Sequence, residues 1–288
     1  MANDQAHDTR GNSVNRLAQA VGLNVAARAA QVAGELSYIF SDDFSSGDKL
    51  KEENGFFWSG GVRSTVSTLN PRSSTHSIRS VYNARADENS DSWTETRFNL
   101  GILYKEIDIQ FDLYVPDGTE PWGGAAYYQE DAPGPDNNKL FRLWGSGGRD
   151  NSNINSYTQH HEKIGASLWP EGNGQSRTQQ EWNRQAVSIG AKGPSSPGFI
   201  ASSDLGKWMT IRFYARLPTE LFADDADSDG FYKTYKNGTL ILDNPLNNYS
   251  DGYDHGWVDG YVLGWANTGF VEETIMFLDN FVFKGIAK

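Results

Sequence analysis

The sequence predicts a mainly β protein, and three observations carry that prediction. Ile107, Ile109, Phe111, Leu113 and Val115 alternate with Asp108, Gln110, Asp112 and Tyr114. A period of two marks a strand with one buried and one wet face, and a one-residue slip would put all five apolar side chains in water. Aromatic residues make up 13% of the chain, which also holds 30 glycines and 10 prolines. That composition suits short strands joined by turns and argues against a helical bundle. Finally, Asn237-Gly238 stands between two apolar runs, the signal of a type I′ hairpin.

The 288 residues allow one large β domain with an appendage. The boundary falls between residues 1–36, an N-terminal arm and helix, and residues 37–288, a β-sandwich domain. The first twelve residues are polar and lack a signal-type apolar run, so no cleaved secretion signal is expected. Val14, Leu17, Val21, Val25, Ala29, Val32 and Leu36 then recur every three or four positions. This gives an amphipathic α-helix of about 20 residues, roughly 30 Å long, with Asn12 or Ser13 as its cap and Gly34 as its stop. Its narrow stripe suits association with other helices; folding back on its own domain is the bland alternative. A strand follows in YIFSD, and further strands are expected at 79–84, 93–98, 107–115, 140–144, 209–217, 232–235, 240–243, 261–265 and 273–285. Residues 144–199 are rich in Gly, Ser and Asn and read as long loops with at most a few strands.

Two resemblances add to this. NSVNRLAQAVGLNVAARAAQVAGELS resembles a helix near the N-termini of phage tail-fibre and other virion proteins. That likeness implies a virion structural protein (a fibre, spike or other appendage) whose helix meets other virion proteins and builds a homo-oligomer, a trimer as in fibres. The opening YIFSDDF and the closing LDNFVF resemble the ends of concanavalin A-like jelly rolls, which include laminin-G-like and polysaccharide-lyase domains. In such domains the first and last strands pair. The combined expectation is a concanavalin A-like jelly-roll β-sandwich preceded by one N-terminal amphipathic helix.

The net charge of −12, with no block of Lys or Arg, repels phosphate backbones and argues against nucleic acid as a partner. No run is long and apolar enough to predict membrane insertion. Cysteine is absent, which excludes disulfides and thiolate metal sites. In DADSDG, Asp225, Asp227 and Asp229 stand two apart before Gly230. Hard oxygen ligands around a tight turn suit a structural Ca²⁺; the other reading is a solvated acidic turn.

If the central strands share one sheet, its polar face displays Gln110, Tyr114, Arg142, Trp144, Arg212, Tyr214 and Arg216. Flat rings stack on sugars and guanidinium forks hold carboxylates, so this is the candidate carbohydrate-binding face, with host-surface polysaccharide as partner. An ordinary outer face with cross-strand pairs is the competing reading. The alginate-lyase type of jelly roll carries R-x-E-x-R, Q-x-H and Y-x-K motifs. TETR (Glu95, Arg97), QHH (Gln159, His161) and FYK (Tyr232, Lys233) echo these in order, incompletely. The sequence reading therefore favours a non-catalytic virion role and names no catalytic residues. A polysaccharide lyase or depolymerase acting on an anionic host glycan, and a non-viral adhesin module, are its alternatives.

Overall fold

The computed structural model describes residues 35–87, 89–123, 137–145, 163–168, 176–182, 185–189, 200, 202–219, 229–245, 256–267 and 269–288. In chain order the strands begin with β1 (Ser37–Asp42), β2 (Glu52–Glu53), β3 (Phe56–Val62), β4 (Ser64–Ser67) and β5 (Ser77–Tyr82). The long β6 (Glu95–Val115) follows, then β7 (Asn137–Gly145), β8 (Lys163–Leu168), β9 (Ser176–Trp182) and β10 (Gln185–Ile189). After a 3-10 turn at Ser202–Asp204 come β11 (Lys207–Arg216), β12 (Phe231–Lys236) and β13 (Thr239–Pro245). The chain closes on β14 (Trp257–Val262), β15 (Ala266–Asn267) and β16 (Thr274–Ala287). The helix expected over residues 13–34 lies outside the described residues, among which no α-helix occurs.

The named strand pairings are all antiparallel, and they form two layers that share β6. Its second half, from Glu106 to Val115, lies between β11 and β16, with β12 and β13 beyond β11. The far edge of β16 takes β5 and then β1. The first half of β6, from Glu95 to Asn99, lies between β3 and β14. Beyond β14 follow β7, β8, β9 and β10. The change of layer falls near Gly101, which has φ +83. A Cβ there would stand 2.4 Å from the Gly55 carbonyl oxygen, so the crossing needs a residue without one.

The alternation that predicts β6 is what fills the core. Ile107, Ile109, Phe111, Leu113 and Val115 are fully buried, as are Ile211 and Phe213 on β11. Phe213 meets Phe141 of the facing layer in a stack with centroids 4.4 Å apart. Trp58 and Phe98 close on Phe281 at 4.9 and 5.5 Å. Such aromatic pairs contribute about 0.5–1.5 kcal/mol beyond their buried area. The expected pairing of first and last strands is present, Ser37 to Asp42 lying along Gly285 to Phe281. At the β12–β13 hairpin Asn237 and Gly238 both have positive φ, 50° and 79°, as a type I′ turn requires. Three strands, β8 to β10, occupy part of the stretch expected to be mostly loop.

Candidate functional site

The sandwich has two outward faces, and the residues singled out in the sequence divide between them. Gln110, Tyr114, Arg212, Tyr214 and Arg216 lie on the outer face of the layer built on β6 and β11. Arg142 and Trp144 lie on β7, in the other layer. The seven do not form one surface, because β6 carries the chain from one layer to the other before β7 begins.

The β6–β11 face is largely satisfied from within. Arg212 holds the buried Asp108 with both arms, Nε to Oδ1 at 2.6 Å and Nη2 to Oδ2 at 2.9 Å. That bond raises the Arg212 pKa. Tyr214 donates to Glu106 at 2.6 Å, and burial together with that carboxylate pushes its hydroxyl up to about 12. Thr210 donates to Asp112 at 2.6 Å, and Arg72 pairs with the same carboxylate at 3.0 Å. Tyr114 packs among Trp122, Trp208 and Phe277, where burial and then Glu120 raise its pKa. These are the cross-strand pairs of an outer sheet face.

The β6–β14–β7 face is arranged differently. Phe98 and Val262 point to the core, so Glu95, Arg97 and Asn99 on β6 and Asp259 and Tyr261 on β14 point away from it. Register aligns Arg97 with Tyr261, and Tyr261 with Arg142. Cβ atoms of such directly opposed residues are about 4.5–5.5 Å apart. The next row is Asn99, Asp259 and Trp144. Asn99 Nδ2 donates to Asp259 at 2.8 Å, and Trp144 meets the Tyr261 ring edge-to-face at 5.6 Å. Arg97 donates through Nε to the buried Glu95, which orients its guanidinium. Arg142 donates to its neighbour's carbonyl, Phe141 O, at 2.8 Å. Across β3, Gly60 stands opposite Arg97, and a Cβ there would meet nothing within 4 Å. The surface beside Arg97 is therefore open. Tyr261 and Arg142 are largely covered, at 8% and 2% exposure, while the Arg97 side chain is 31% exposed. A tyrosine in register with two arginines is a set of groups that can hold a carboxylate-bearing sugar and move a proton next to it.

Of the lyase-like residues that are described, Glu95 and Arg97 lie on this face. Gln159 and His161 lie outside the described residues. Tyr232 is fully buried and stacks on Phe213, so it points into the core. Lys233, opposite Tyr214 in the β6–β11 layer, pairs with Asp243 on the adjacent β13. That third match is corrected: the tyrosine beside Arg97 is Tyr261, and the signal for it was the alternation of WVDGYV, with Asp259 and Tyr261 on one side.

Asp225 and Asp227 lie outside the described residues. Asp229 accepts from Thr219 N at 2.7 Å and from its hydroxyl at 3.1 Å. Burial raises its pKa, but these bonds and Arg216 outweigh that and hold it low. Among the described residues no cluster of three metal-ligating side chains occurs.

The same architecture recurs in solved structures. An endo-β-1,4-glucuronan lyase from the fungus Trichoderma reesei matches with a TM-score of 0.54 and 13% identity over 86% of this chain and 96% of that one. The alginate lyase vAL-1 from Chlorella virus matches with 0.51 and 12%, over 86% and 100%. The alginate lyase Aly36B matches with 0.50 and 14%, over 78% and 84%. Identities this low show the fold, a jelly-roll β-sandwich of the kind that polysaccharide lyases use. No family model and no curated protein matches the sequence. The likeness extends to the fold, and these comparisons supply no support for the virion structural role.

Proposed function

We propose that this protein is a polysaccharide lyase that binds an anionic, uronate-containing glycan on the β6–β14–β7 face and cleaves it by β-elimination. The observation that carries this reading is the row Arg97–Tyr261–Arg142, a proton-transfer group between two cations. The guanidinium groups neutralise the uronate carboxylate, which makes the neighbouring C5 proton removable. As the phenolate, Tyr261 takes that proton, the C4–C5 double bond forms as the C4–O4 bond breaks, and the Tyr261 hydroxyl so formed gives the proton to the departing O4. Trp144 packs edge-to-face against Tyr261 and backs its ring.

Two further expectations extend the reading. The likeness of residues 12–37 to virion helices supports a depolymerase carried as a homotrimer on a virion appendage. The Asp225, Asp227 and Asp229 spacing supports a structural Ca²⁺. The lyase is tested by incubating the protein with alginate and with glucuronan and following ultraviolet absorbance from unsaturated ends. A binding module without catalysis would be retained by these polymers and release no product.

A further inference from the structure

At the far end of the same face lies a third row that the proposed chemistry does not use. Trp93 stands two residues before Glu95 and four before Arg97, on the outward side of the chain entering β6. An antiparallel bridge between Ser92 and Ala266 brings it beside Trp265, with hydrogen bonds of 3.1 and 2.9 Å between their backbones. The two indole rings lie 6.0 Å apart at a 34° tilt. Lys139 N in turn donates to Trp265 O at 2.8 Å, and Lys139 Nζ sits 4.8 Å from the Trp265 ring centroid. Trp93 on the chain entering β6, Trp265 just before β15 and Lys139 on β7 thus follow the order in which Arg97, Tyr261 and Arg142 cross the sheet. Trp93 keeps 42% of its surface exposed, although tryptophan is among the residues that gain most from being covered.

We infer that Trp93, Trp265 and Lys139 form an outlying subsite for a uronate ring of the same polysaccharide. The inference rests on the lyase reading and adds where the chain is held and what length of chain is preferred. Four strand residues separate this row from the central one, roughly 13 Å, so the two rows hold different sugars of one chain. The exposed indole supplies the flat apolar face that a pyranose ring covers, and Lys139 supplies the charge that favours a uronate over a neutral sugar. Short substrates that fill only the central row gain nothing from it.

The test compares the full-length wild type with Trp93→Ala, Trp93→Phe and Lys139→Gln on polymeric alginate, polymeric glucuronan and their trisaccharides. Trp93→Ala is expected to raise KM for polymer about tenfold, with kcat and trisaccharide kinetics unchanged. Trp93→Phe should restore most of the loss, and Lys139→Gln should weaken polymer binding less at high salt than at low salt. Unchanged polymer KM in Trp93→Ala would overturn the subsite, as would equal losses on polymer and trisaccharide, which mark a structural role. If the wild type makes no unsaturated product, the lyase reading fails by itself. Affinity electrophoresis in gels holding each polymer then decides the subsite. Retardation of the wild type that Trp93→Ala loses supports it, and no retardation, or retardation that Trp93→Ala keeps, overturns it.

Discussion

Tyr261 lies in register with Arg97 on one side and Arg142 on the other, so deleting its hydroxyl removes the proposed proton carrier and leaves both cations. Tyr261→Phe is expected to cut initial rates by about 10²–10⁴-fold, the usual span for a general acid–base group, with retention on polysaccharide kept. Arg212 provides the contrast. Its side chain is 34% exposed while that of Asp108 is 7% exposed, so Arg212→Ala strands a nearly buried carboxylate behind a partly solvated partner. A loss of about 1–2 kcal/mol in urea unfolding is expected, below the cost of breaking a fully buried pair, and turnover should not change. A comparable loss of turnover would return the active face to β11. Calcium is also tested at this scale. Chelation should lower the melting temperature by removing a ligand of the native state alone, and changing Asp225, Asp227 and Asp229 together to Asn should abolish that sensitivity. A melting curve indifferent to chelator leaves an acidic turn tied through Asp229 to Thr219 and Arg216.

Among the elements, β6 does most to organise the molecule, because one strand serves both layers. Gly101→Ala meets a positive φ and the Gly55 backbone together. It is expected to destabilise by at least about 2 kcal/mol, read from the urea midpoint. An unchanged midpoint would mean that the crossing does not need glycine. This crossing also explains what the sequence could and could not reveal. From Ile107 to Val115 the alternation is clean because the strand stays in one layer with one buried side. From Asn99 to Glu106 it fails, since the chain is changing layers, and β6 reads in sequence as two separate strands. The Asn237-Gly238 hairpin was legible because its dihedral requirement is local. The strand β9, SRTQQEW, has no apolar alternation, so periodicity offers nothing to find. The site was half legible. Arg142, Trp144, Glu95 and Arg97 could be named, but only the pairing of β14 with both β6 and β7 brings Tyr261 between the arginines, and that neighbourhood is non-local.

At the scale of the whole molecule, the jelly roll closes on itself through β1 and β16, and Ser37 Oγ donates to Gly285 O at 3.2 Å. The described core residues run from Ile39 to Phe283. The full-length chain is expected to be a trimer in light scattering, and a chain beginning at Ser37 a folded monomer. Equal masses for the two would remove the oligomerising role of residues 13–34. The central claim, that the β6–β14–β7 face is a lyase site, is tested most directly by one time course. Wild type and Tyr261→Phe are incubated with alginate and with glucuronan, and unsaturated ends are followed by ultraviolet absorbance. A steady rise with one of these polymers is expected for the wild type, and a nearly flat trace for Tyr261→Phe. Equal slopes for the two proteins, or no rise for the wild type on either polymer, would contradict it.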